Sequence, residues 1–92
     1  MIRVRFFTTL RFLVKREDIF LDRKNIRVRD LLDDVQHEVP VQFLHKVLDE
    51  SGGMKRGTLI LVNGRHVHHL EGLNTIVEDG DVVSLFPPGG GG

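Results

Sequence analysis

One stretch of this chain repeats its apolar residues at helical spacing for long enough to bury a face, and the rest must be arranged around it. Val28, Leu31, Leu32, Val35 and Val39 recur at i, i+3, i+4, i+7 and i+11, while Arg29, Asp30, Asp33, Asp34 and Gln36 fall off the stripe. That pattern is an amphipathic helix with its apolar side turned to a core. A single such helix cannot close a core by itself and needs a sheet to lie on. Its start carries no recognisable cap, since Asn25 sits early and Arg27 has no side-chain oxygen. Pro40 breaks the pattern and is read as opening a second short helix carrying Val41, Leu44 and Leu48, ended by Ser51, Gly52 and Gly53.

The sheet is sought in the remaining segments. Residues 2–7 alternate, with Ile2, Val4 and Phe6 on one face and Arg3, Arg5 and Phe7 on the other. Leu10, Leu13 and Val14 allow a helical turn or two, and Ile19 and Leu21 mark a strand over 18–22. The run 58–62 is apolar and β-rich, which predicts a strand buried on both faces or nearly so. Asn63-Gly64 follows it, a hairpin signal because both residues tolerate positive φ in a type I′ turn, with 65–68 as the return strand. Residues 78–81 read as another turn, and 82–86 as a last strand with Val83 and Leu85 on one face. The expected order is β, β, α, short helix, β, β, β. This is an α+β domain: a mixed sheet of about five strands, with one main helix packed on one face and the first and last strands parallel in its centre.

Ninety-two residues make one domain, taken as 1–88 with a flexible glycine tail at 89–92. Thirteen basic and thirteen acidic residues cancel, and no basic run is interleaved with aromatics, so nucleic acid is not an expected partner. Cysteine is absent, which excludes disulfides, thiolate catalysis and cysteine metal sites. Residues 1–5 lack the apolar run of a signal peptide and no segment is long enough to span a membrane, so the expected location is the cytoplasm without membrane attachment. No bound cofactor is expected either, since no nucleophile–base set or phosphate loop is visible.

The tail is the remaining candidate for chemistry. Pro87 and Pro88 leave the last strand as a rigid spacer, and Gly89, Gly90, Gly91 and Gly92 follow. Glycines without Cβ atoms can pass through a channel too narrow for other residues, and four of them reach about 13–14 Å when extended. A carboxylate delivered this way can be activated as an acyl-adenylate, then take sulfur to become a thiocarboxylate or a lysine amine to become an isopeptide.

Several segments together resemble the small subunit of molybdopterin synthase and its relatives, the MoaD/ThiS group of ubiquitin-like sulfur carriers. They are residues 4–11, 28–32, 60–65 and 69–73, then 79–88 with its Phe86-Pro87-Pro88 ending and the terminal Gly91-Gly92. The resemblance covers nearly the whole chain in order. It implies a β-grasp (ubiquitin-like) fold and adenylation of Gly92 by a ubiquitin-activating-like enzyme that consumes ATP. It further implies a Gly92 thiocarboxylate, with Gly91 beside it, donating sulfur in a larger molybdopterin synthase subunit during molybdenum or tungsten cofactor biosynthesis. On this reading the chain is a non-catalytic carrier subunit of a sulfurtransferase. The alternative that the resemblance leaves open for this chain is a ubiquitin-like modifier whose Gly92 is joined to lysines of target proteins, or a sulfur carrier for thiamine or tRNA thiolation. The chain departs from relatives in having Gly89-Gly90 where a side chain is usual and Lys15-Arg16 where many turn at a glycine.

Phe7 and Phe86 fall on strand faces opposite the core set, near the tail, where an apolar patch would dock the partners that the resemblance implies. Partner contact is therefore expected of Phe7, Phe86, Pro87, Pro88, Gly89 and Gly90. His66, His68 and His69 invite a metal reading, with His66 and His68 placed on one strand face. A His-x-His pair without a third ligand is poor evidence, and no metal site is expected.

Overall fold

Alternation at the start of the chain sets up the sheet. The computed structural model describes residues 1–89. Its elements are β1 (Ile2–Phe6), α1 (Thr9–Val14), β2 (Asp18–Leu21), β3 (Ile26–Arg27), α2 (Val28–Glu38), β4 (Leu59–Val62), β5 (Arg65–His66), β6 (Ile76–Val77) and β7 (Val82–Phe86). Five strands pair in the order β2-β1-β7-β4-β5. Central β1 and β7 are parallel, Arg3 opposite Val82 and Phe6 opposite Leu85, while the other pairings in this sheet are antiparallel. This is the mixed α+β sheet expected from the element order.

The core forms on one side of the sheet. Ile2, Val4 and Phe6 of β1, Ile60 of β4, and Val83 and Leu85 of β7 are buried together with Val28, Leu31, Leu32 and Val35 of α2. Leu10 and Val14 of α1 join them. The uncapped start of α2 is resolved by a tertiary neighbour, not a side chain. Arg27 makes no capping bond, and the Val28 N–H donates to the Thr75 carbonyl at 2.9 Å. Thr75 precedes β6, which pairs with β3 as a separate two-stranded ribbon that no sequence period announced.

Three expectations change. The second helix after Pro40 is only a single 3-10 turn, Leu44–Lys46, and the residues buried there are Phe43 and Val47. Gln36 holds this segment in place. Its amide accepts from the Phe43 and Leu44 N–H groups at 2.9 and 3.2 Å and donates to the Val41 carbonyl at 2.7 Å. Phe43 then meets Phe6 edge-on, 5.8 Å between ring centres. Second, β4 is not buried on both faces: Ile60 and Val62 are buried, but Leu59 is 43% exposed because no helix covers the outer side. Third, the return strand after Asn63-Gly64 stops at His66, and Val67–His69 forms a 3-10 turn that buries Val67.

The turn itself is as expected, with Asn63 at φ +51° and Gly64 at +85°. Asn63 also fastens it to the neighbouring turn: Nδ2 donates to Asp81 at 2.9 Å, and Oδ1 accepts from Val82 N–H at 2.9 Å. Asp79 pairs with the Met1 ammonium, which holds its carboxyl below the usual range.

Two measurements test this packing. Leu31→Ala, which empties a fully buried site, should destabilise the fold by about 2–5 kcal/mol in chemical denaturation. Gln36→Ala should cost about 1–3 kcal/mol, because two N–H groups and one carbonyl lose their partner in a partly buried place. Hydrogen exchange at Phe43 and Leu44 should quicken well beyond that of β1 in this variant, whereas uniform quickening would show that Gln36 does not hold the segment.

Candidate functional site

The face without a helix is built by register. Arg3, Arg5 and Phe7 point outward from β1 and its end, and Phe7 extends the parallel ladder by donating to the Leu85 carbonyl at 3.1 Å. Continuing that register sets Phe7 beside Phe86, and Leu59 of β4 is paired opposite Phe86 on the other side. The Phe7 and Phe86 rings stack at 4.3 Å with planes 8° apart. The Arg5 guanidinium lies 5.0 Å from the Phe7 ring centre, a cation–π contact that keeps the stack beside positive charge. Both phenylalanines are half-buried, so each leaves part of its ring to solvent. Phe7 and Phe86 thus come together on the outer face, as the alternation predicts.

The root of the tail is fixed more firmly than its composition indicates. Pro87 is buried, Pro88 is half-buried, and Gly89 is exposed. Gly57 stands against Pro88: a Cβ added there would lie 3.4 Å from the Pro88 Cβ, and its φ of +90° would strain any other residue. Gly89 is different. Among the described residues nothing lies within 4 Å of where its Cβ would be, and their packing places no demand on its being glycine. Gly90, Gly91 and Gly92 lie outside the described residues.

Sequence reasoning missed Leu59, Arg5 and Gly57 at this site. Leu59 was hidden by the even apolarity of 58–62, where only the coverage of the sheet decides which side is wet. Gly57 reads as an ordinary loop glycine until Pro88 is placed beside it. Thr8, at φ +52°, turns the chain sharply off β1 directly after Phe7, an uncommon conformation for a β-branched residue with no sequence signal.

The histidines do gather, but not along one strand. His66 ends β5, while His68 and His69 ride the following 3-10 turn. Ring centres of His66 stand 5.8 Å from His68 and 6.0 Å from His69. Burial first, then the neighbouring His68 and His69, hold the His66 imidazole below its usual pKa. Among the described residues, no three histidine or acidic side chains are arranged to hold a metal ion. No helix among them is long and apolar enough to cross a membrane.

Known proteins place this arrangement. The ThiS family model matches residues 4–92. Small archaeal modifier protein 3 of Haloferax volcanii is 38% identical over 95 residues, spanning 99% of this chain and 98% of that protein. The solution structure of small archaeal modifier protein 1 from Methanosarcina acetivorans is 30% identical with a TM-score of 0.77, covering 99% of this chain and 95% of that one. A Pyrococcus furiosus structure provisionally described as molybdopterin converting factor, subunit 1, is 29% identical with a TM-score of 0.69, covering 96% and 97%. The five-stranded mixed sheet under one main helix is accordingly a β-grasp fold, and the chain belongs to the ThiS family of ubiquitin-like sulfur carriers and modifiers.

Proposed function

We propose that this protein is a sulfur carrier that works through the carboxylate of Gly92 and serves as the small subunit of a molybdopterin synthase. The observation that carries the reading is Gly89: it is glycine where the chain's own packing would accept a side chain. The reason for the run is therefore sought in what it enters. In the proposed sequence a Gly92 carboxylate oxygen attacks the α-phosphorus of ATP on a ubiquitin-activating-like enzyme, and pyrophosphate leaves. Hydrosulfide then attacks the acyl carbon, AMP leaves, and a thiocarboxylate remains. The tail, Gly91 included, threads into the large synthase subunit, where sulfur passes to a pterin precursor and water supplies the oxygen that restores the carboxylate. This chain supplies the acyl terminus and a docking face of Phe7, Phe86 and Leu59, while ATP belongs to the activating partner. The Pyrococcus furiosus relative supports the molybdopterin assignment.

A second reading has its own support in the 38% identity to small archaeal modifier protein 3. In it a lysine amine of a target protein attacks the same adenylate, AMP leaves, and an isopeptide bond forms. Intact mass spectrometry of protein purified from its own cells separates the two. Oxygen-to-sulfur replacement at Gly92 supports the carrier, and conjugates joined through Gly92 without that replacement support the modifier.

Two variants test the shared mechanism. Adding one alanine after Gly92 should abolish adenylate and thiocarboxylate formation with unchanged thermal unfolding, because the Gly92 carboxylate becomes an amide. Thiocarboxylate from the extended protein, without trimming back to Gly92, would overturn the mechanism. Phe7→Asp should cost about 1 kcal/mol of stability through loss of the ring stack. Binding to the large subunit should weaken by roughly tenfold or more, since an aromatic anchor becomes an unpaired charge. Unchanged affinity in calorimetry would remove Phe7 from the interface.

A further inference from the structure

Beside the tail root lies a recess that shares Leu59 with the docking face and that the carboxylate chemistry does not use. It measures about 450 Å³ and is walled by residues 54–59 on one side and by His66 and His68 on the other. Lys55, Arg56, His66 and His68 line it, and no carboxylate does among the described residues. Neither Lys55 nor Arg56 forms an ion pair within that part of the chain, although Arg3, Arg11 and Arg23 each have an acidic partner. The Nε2 atom of His66 is buried without a hydrogen-bond partner.

We propose that this recess binds a phosphate group carried by a small molecule, held by Lys55, Arg56 and the imidazoles of His66 and His68. Two cations, Lys55 and Arg56, beside two imidazoles that can donate hydrogen bonds, match a multiply charged oxyanion better than a single carboxylate. The turn holding Lys55 and Arg56 is set by the Thr58 N–H donating to the Lys55 carbonyl at 3.0 Å. Gly57 in that turn rests against Pro88, so the site is tied to the tail root. His69 stands beside His68, their ring centres 5.8 Å apart. An anion in the recess offsets the repulsion that these neighbours exert on a charged His66, so bound phosphate should raise the His66 pKa.

The test is a titration of the whole protein followed by nuclear magnetic resonance of its backbone amides and histidine rings, at fixed ionic strength in potassium chloride. Inorganic phosphate, pyrophosphate, AMP and hexaglutamate are the probes. The expected result is saturable movement of the His66 and His68 rings and the Arg56 and Thr58 amides with pyrophosphate, half-complete at about 1 mM, as suits an open hydrated site. His37, whose ring engages the Asp33 carbonyl on α2, serves as the internal control and should not move. AMP binding more tightly than inorganic phosphate would identify a nucleotide as the source of the group, and the reverse a free phosphate. The double variant Lys55→Gln with Arg56→Gln alters only exposed side chains and should weaken pyrophosphate binding by roughly tenfold. Shifts that never saturate, His37 moving in step with His66, or undiminished binding in the double variant would each overturn the proposal. Tighter binding of hexaglutamate than of pyrophosphate would overturn it in favour of an acidic protein partner. None of these readings depends on Gly92 being activated.

Discussion

The parallel pairing of β1 with β7 is the constraint on which the rest of the structure depends. It joins segments roughly eighty positions apart, Val4 beside Val83, and so commits everything between them to a crossover. A loop that long is costly in entropy to close and is held only by what it buries. Here the crossover carries α2, whose stripe covers the inner face of the same two strands. The pairing also sets the outer face, because the register that places Phe6 opposite Leu85 carries Phe7 to the side of Phe86. Core and candidate site are two sides of one ladder.

What the sequence made legible were features with a local cause. The α2 stripe follows from helical spacing, the hairpin from two residues that accept positive φ, and the edges of β1 and β7 from alternation. The misread parts have tertiary causes. Whether 58–62 is wet on one side depends on there being only one helix to cover the sheet, which no property of Leu59 encodes. The run after Pro40 has helix-compatible apolar spacing, yet Gln36 captures its backbone donors and commits Phe43 to the core as irregular chain. The β3–β6 ribbon has two residues a side, too few for any period to show.

The candidate site divides in the same way. Phe7 and Phe86 were legible because they stand out of phase with a clear core set. Their stacking also needs the register that continues Phe6 opposite Leu85 to Phe7 beside Phe86, which alternation alone does not specify. The three histidines were visible as a cluster in sequence, but the strand they were assigned to ends at His66, and the 3-10 turn sends His68 and His69 off the sheet. That break removes the shared strand face on which a metal reading rested and opens the recess beside Lys55 and Arg56 instead.

The tail root sets a boundary between two kinds of glycine. Gly57 is demanded by this fold through its φ of +90°, while Pro88 makes an ordinary van der Waals approach to it. Gly89 is not demanded by the packing of the described residues, and it begins where burial ends, two residues beyond Pro87. A glycine run is the sequence that loses most entropy when ordered. Keeping one is therefore unfavourable for any partner that must grip it, unless that partner requires the absence of side chains. The rigid half of the junction offsets part of that cost: with Pro87 buried and Pro88 braced on Gly57, the direction of exit is set before any partner arrives. A residue already ordered by the fold adds no such loss on binding, so Pro87 and Pro88 lower the cost of any complex made at this end of the chain.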